Sequence, residues 1–218
     1  QMAQQSVESE ILSVDMHPGQ LVAVVVSPGS GFTRIFSGEA VSIVSGGQSM
    51  NPSVQEILQA FEDLPTDHVI ILPNNTNIHP AAEQAAKTSD KQVLVLPAGA
   101  VPHGIIAMLS FNPDGDLYKV YEAMNSQIRE VESGEVTTAI RDANLNGFTV
   151  QEGQALGFHN GSLVCASDST EKCVIDLLRA MHAEDQELFT LYYGDGVVET
   201  AAKEMAEKVQ NSYPETEV

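Results

Sequence analysis

The segment Ser45-Gly-Gly-Gln-Ser-Met-Asn-Pro-Ser53 carries the densest set of groups that could hold a ligand. It follows an apolar run, Val41–Val44, and opens an amphipathic stretch from Pro52 to about Asp63 in which Val54, Ile57, Leu58 and Phe61 share one helical face. At a strand-to-helix turn of this kind, free backbone N–H groups and the helix dipole favour a carboxylate or a phosphate. Gly46 and Gly47 allow close backbone approach, Asn51 is a good N-cap and Pro52 a good first helical residue. Ser45, Gln48, Ser49 and Ser53 complete the candidate set. The spacing equally fits a capped helix behind a tight turn, and no G-x-x-x-x-G-K-[ST] phosphate loop occurs.

Two further polar turns follow apolar runs. Asn74, Asn75 and Asn77 come after His68–Leu72, and Pro97–Gly104, with His103 and Gly104, comes after Gln92–Leu96. In an open parallel sheet such turns meet at the carboxyl edge, where ligands bind. Asparagine at a turn also serves simply to adopt left-handed backbone and close a helix end. His79 and His103 fall in these turns and could move a proton, although each also reads as a surface residue. The six histidines form no H-x-x-x-H or Cys/His cluster. No metal site is expected, and no catalytic residue is assigned.

The elements that must position these turns show in the hydrophobic pattern. Leu21–Val26, Val41–Val44, His68–Leu72 and Gln92–Leu96 are continuous apolar runs. Strands buried on both faces read this way, which predicts a parallel sheet flanked by helices. The first run meets a Ser-Pro-Gly-Ser-Gly turn and a short segment ending near Ser37; the later ones lead into helices, the last of them Ile105–Phe111. A charged amphipathic helix from about Asp116 to Glu132 follows. From Gly134 the pattern alternates, with Val136, Thr138 and Ile140 on one face, and Asn146-Gly147 and Asn160-Gly161 mark tight hairpins. A helix over about Ser169–His182, a strand over Leu188–Gly194 and a polar helix over about Val197–Asn211 complete the reading. The expected class is α/β: a linker over 1–19, a parallel lobe over 20–133, and a smaller mixed-sheet α/β lobe over 134–218.

Composition removes several function classes. The 218 residues hold 10 Lys and Arg against 30 Asp and Glu, a formal charge of −20. Binding nucleic acid through its phosphates needs a basic stripe, and anionic lipid repels such a chain. At 43% hydrophobic the sequence is nevertheless globular. No apolar run approaches the ~18 residues of a membrane span, and the polar N-terminus lacks signal-peptide character. Cys165 and Cys173 read as thiols kept reduced in a cytoplasm. The start at Gln1 and the lack of a clear element over the first nineteen residues give the expectation of a fragment cut from a longer polypeptide, with another strand expected after Val218. Nothing in the sequence decides its oligomeric state.

Five ordered segments, SGGQSMNPSVQEIL, VIILPNNTNIHPAAEQAA, VLVLPAGAVPHGIIAMLSF, GEVTTAIRDANLNG and TLYYGDGV, resemble the C-terminal region of bacterial DAK2-domain proteins, the fatty acid kinase subunit FakA family. The resemblance runs from about Leu21 to the end. It implies a two-lobed DegV/dihydroxyacetone-kinase-like architecture, no cofactor in this part, and ATP and magnesium in an N-terminal domain outside this sequence. The implied function is a noncatalytic module that docks a DegV-type, FakB-like fatty acid carrier protein, so that the acyl carboxylate is phosphorylated by the ATP-binding domain. The alternative is a DegV-like domain that itself holds a fatty acid or small anion between its lobes, through Ser45–Ser53 and Asn74–Asn77. Two places depart from the family pattern. Pro97-Ala98-Gly99 stands where relatives often read Pro-Thr-Lys, and Ile78-His79-Pro80 is less apolar than usual. Relatives continue past Val218 with a further strand, so a sheet edge is expected to be unpaired here. None of the six histidines matches the substrate-bonding histidine of the related dihydroxyacetone kinases.

Overall fold

Every residue of β1 (Val22–Ser27) is buried, which a strand achieves at the centre of a sheet covered on both faces. In the computed structural model, which describes residues 14–47, 50–145, 147–194 and 196–218, β1 lies between β2 (Val41–Ser45) and β3 (His68–Leu72). β4 (Gln92–Val95) extends the sheet beyond β3, giving an all-parallel order β2-β1-β3-β4. Side chains alternate along each strand. Leu21, Ala23 and Val25 join Ile70 and Leu72 in one apolar cluster, while Val22, Val24 and Val26 join Val69 and Ile71 in another. The first cluster is covered by α1 (Gly29–Phe36), α4 (Val101–Met108) and α5 (Leu117–Arg129), the second by α2 (Val54–Gln59) and α3 (His79–Thr88). The chain divides into two compact units between Val131 and Glu132, and this parallel α/β sheet makes up the first.

Three helix starts in this unit differ from expectation. The short segment after β1 is α1, which begins inside the Ser-Pro-Gly-Ser-Gly turn because Gly29 takes a left-handed backbone, φ +76. The N-cap of α2 is Ser53 rather than Asn51, and Pro52 precedes the helix instead of opening it. His103 and Gly104 lie inside α4 rather than in the preceding turn, because Pro102 is accommodated in the first helical turn.

In the second unit, β5 (Gly134–Thr138), β8 (Ala155–His159) and β9 (Ser162–Ser167) form an antiparallel sheet in the order β5-β8-β9, while β6 (Ala143–Leu145) and β7 (Phe148–Val150) form a separate hairpin. The β8–β9 turn has φ +48 at Asn160 and +79 at Gly161, as a two-residue type I′ hairpin requires. In the other hairpin Gly147 has φ +84, and Asn146 lies outside the described residues. The alternation read for β5 stops early. Its ladder with β8 ends at Thr138, Ala139 takes the next buried position, and Ile140 is 87% exposed.

α6 (Thr170–Ala180), capped by Ser169, lies against β8 and β9, and α7 (Glu199–Ser212) is tied to it by Lys208 and Glu171. The strand expected over Leu188–Gly194 does not form. Leu188 makes one parallel bridge with Glu217, Phe189 N–H donating to the Glu217 carbonyl at 2.7 Å. A strand needs a ladder of several residues, and among the described residues this segment meets a partner strand at that position alone. Among the described residues no helix is long and apolar enough to cross a membrane.

Candidate functional site

A strand order β2-β1-β3-β4 reverses between β1 and β3, and the carboxyl ends of those strands frame the place where open α/β sheets bind ligands. Asn74 fills it. This residue follows β3, is 5% exposed and has φ +53, a left-handed backbone that asparagine tolerates. Its Nδ2 donates to the Val26 carbonyl at the end of β1, 3.0 Å away, so one amide ties both strand ends together. Its Oδ1 is buried with no hydrogen-bond partner among the described residues. Gly104 of α4 presses against that amide: a Cβ at this position would come 2.1 Å from Oδ1 and 2.7 Å from Cγ.

The Ser45–Ser53 turn closes on itself in a similar way. Gly46 N–H donates to the Ser27 carbonyl at 3.2 Å and Gly47 N–H to the Met50 carbonyl at 2.9 Å. A Cβ on Gly46 would come 2.7 Å from Pro52 Cδ, and one on Gly47 2.6 Å from Pro28 Cβ. These glycines therefore let the turn pack on two prolines. Ser53 and Glu56 form a reciprocal cap: Glu56 N–H donates to Ser53 Oγ at 3.2 Å, while the Ser53 N–H and hydroxyl both donate to Glu56 Oε2 at 2.7 Å. The backbone N–H of Ser53, then its hydroxyl, hold the Glu56 carboxyl below the usual carboxylate range. The anion that the start of α2 attracts is its own side chain. Gln48 and Ser49 lie outside the described residues.

The structure thus brings Asn74, Gly104, Gly46 and Gly47 into packed contacts at the carboxyl edge. It leaves Ser45, Asn51, Ser53 and Asn77 exposed. Asn75 Oδ1 accepts from Asn77 N–H at 2.8 Å, a local turn bond, and His103 is half-buried on α4. The turn after β1, Pro28-Gly29, belongs to this edge and was not among the sequence candidates. Its signal was the Ser-Pro-Gly-Ser-Gly run directly behind the most apolar strand. None of the four segments 27–31, 45–53, 73–79 and 97–104 contains Lys or Arg, so an anion there would meet peptide N–H groups, the hydroxyl and amide side chains, His79, which opens α3, and His103, which lies inside α4. Among the described residues no three His, Cys, Asp or Glu side chains converge as a metal site would require.

This architecture is that of the DegV class. The DegV-family protein Cg2579 of Corynebacterium glutamicum matches it with a TM-score of 0.61 over 91% of this chain and 87% of its own, at 15% identity. A DegV-family protein of Ruminococcus gnavus, solved with vaccenic acid, also gives 0.61, over 89% and 90%, at 9% identity. Within that class the sequence is more specific: the C-terminal family of FakA-like fatty acid kinase subunits matches residues 22–218, and the chain belongs to it. Protein YloV of Bacillus subtilis is 38% identical over 196 residues, covering 89% of this chain and 35% of YloV. A Staphylococcus aureus protein, SAUSA300_1119, is 33% identical over 204 residues, covering 93% of this chain and 37% of its own. The chain spans little more than a third of the length of these relatives.

Proposed function

We propose that this chain is a noncatalytic C-terminal module of a fatty acid kinase subunit, docking a DegV-type fatty acid carrier protein so that the acyl carboxylate reaches an ATP-binding domain outside it. The observation that carries the reading is the family match over residues 22–218. Packing among the described residues of the carboxyl edge supports docking over holding a ligand: Asn74 and Gly104 fill the reversal between β1 and β3, and Glu56 caps the start of α2. The reading assigns ATP and magnesium to the other domain and routes no step of phosphoryl transfer through this chain. It also places the module in the cytoplasm.

The test is binding of a cognate acyl carrier, loaded with fatty acid, to the immobilised chain at increasing salt. A charge of −20 steers a partner with a basic patch, so association should slow as salt rises from roughly 0.05 to 0.5 M. Absence of a complex at physiological ionic strength overturns docking. A second reading, in which the module itself holds a fatty acid, draws on one observation, the shared fold of the R. gnavus neighbour solved with vaccenic acid. Mass spectrometry of lipid extracted from purified chain decides it. A stoichiometric fatty acid supports that reading and an empty protein refutes it.

A further inference from the structure

The chain has two cysteines, and the fold places them side by side in the second unit. Cys165 lies on β9 opposite Gly157 of β8 and is half-buried, while Cys173, the fourth residue of α6, is buried. Their Sγ atoms are 3.6 Å apart, and the Cys165 thiol also donates to the Cys173 carbonyl at 3.5 Å. Gly157 makes the room for this pair. A Cβ there would come 2.4 Å from Cys165 Sγ and 3.3 Å from Cys173 Sγ. A disulfide holds its sulfurs about 2.05 Å apart, so a closure of roughly 1.5 Å, shared between two side chains, would join them. Among the described residues no further ligands converge on the two sulfurs, and a pair alone does not make a zinc site.

We propose that Cys165 and Cys173 form a modification site, a dithiol that closes to an intramolecular disulfide between β9 and α6 when the chain meets a small-molecule disulfide. Cys165, as thiolate, attacks one sulfur of the reagent. A mixed S–S bond forms, the reagent's own S–S bond breaks, and one reagent thiolate leaves. Cys173 Sγ then attacks Cys165 Sγ and expels the second reagent thiolate, which takes up the Cys173 proton. Two protein thiols are oxidised and one small disulfide is reduced to two thiols. The order follows from access, because Cys165 is the partly exposed sulfur. Burial, then the hydrogen bond with Cys165, push the Cys173 thiol up to about 12, which keeps it protonated toward outside reagents and makes ring closure the slow step, driven by the 3.6 Å proximity of the two sulfurs.

The experiment incubates the reduced 218-residue chain with oxidised glutathione at about pH 8, near the ordinary thiol pKa. It then reads intact mass, thiols titrated in denaturant, and a peptide map. The expected result is a monomer lighter by about 2 Da, no titratable thiol, and one linked pair of peptides containing Cys165 and Cys173, all reversed by dithiothreitol. Cys173→Ser should stop at one stable glutathione adduct on Cys165, and Cys165→Ser should stay unmodified over the same time. The proposal is overturned if the native wild-type chain keeps both thiols, accumulates glutathione adducts without losing mass to a disulfide, or links between molecules instead.

Discussion

In the interior of an exposed helix, Gly→Ala stabilises by about 1 kcal/mol. At Gly104 of α4 the sign should reverse. The added methyl would stand 2.1 Å from Asn74 Oδ1 and 2.7 Å from both Cγ and Nδ2, far inside the separation of ~3.5 Å at which such atoms attract. Asn74 has little freedom to yield, being 5% exposed, held at φ +53 and bonded through Nδ2 to the Val26 carbonyl. Turning the amide away breaks that bond and leaves a buried carbonyl unpaired, a cost of about 1–3 kcal/mol. The displaced amide must also find space in a packed interior, at a further cost of about 1 kcal/mol or more. Taking roughly 3 kcal/mol for the two and subtracting the ~1 kcal/mol of propensity leaves a net loss of about 2 kcal/mol. Urea unfolding followed by circular dichroism measures it, with the slope checked for constancy. Asn74→Gly supplies the control, because it removes the amide while keeping a residue at home in left-handed backbone. In that background Gly104→Ala should be neutral or stabilising by up to ~1 kcal/mol, a coupling of about 2–3 kcal/mol. A stabilised single variant, or effects that add within ~0.5 kcal/mol, would refute the contact as drawn.

Lys91 joins the region after α2 to the sheet, its Nζ donating to the Phe61 carbonyl at 3.0 Å and the Leu64 carbonyl at 2.7 Å. Lys91→Met keeps the aliphatic stem and should lose about 1–3 kcal/mol in urea unfolding; an unchanged midpoint contradicts that role. Glu56 predicts a pH dependence. Its folded pKa is depressed, so its stabilisation is complete above the unfolded carboxylate value and disappears as pH falls through the folded one. Glu56→Gln should therefore be less stable than wild type at pH 7 and converge with it in acid, below about pH 4; a gap of constant size excludes the charged cap.

The parallel unit was legible because a centrally buried strand must be apolar at consecutive positions, and Leu21–Val26 is. The order of the strands was not. An apolar run records burial on both faces but not which neighbours bury it, so the placement of Pro28-Gly29 at the reversal required the fold. A capping box at Ser53-x-x-Glu56 was present in the sequence, but so was a good Asn51-Pro52 start. What decides between them is the reach of the Glu56 side chain to Ser53, which fixes the first helical turn. For Leu188–Gly194, residue preference indicated a strand, yet strand geometry persists through pairing, and the pairing there extends over one bridge.

Asn74 and Asn75 put the limit most sharply. Two identical residues in sequence become a buried strut and a half-exposed turn former. The difference arises from a carbonyl 48 positions earlier and a glycine on α4, neither of which leaves a local trace. The same holds for Gly46 and Gly47. Glycine in a turn permits close approach by whatever is nearest, and sequence alone suggested a ligand. The fold puts Pro52 and Pro28 there instead, within 2.7 Å of where each Cβ would stand. Those glycines pack on the chain itself, while Ser45, Asn51, Ser53 and Asn77 keep solvent-facing polar groups at the same edge. On the docking reading proposed above, that packing leaves recognition of a carrier to the outer surface.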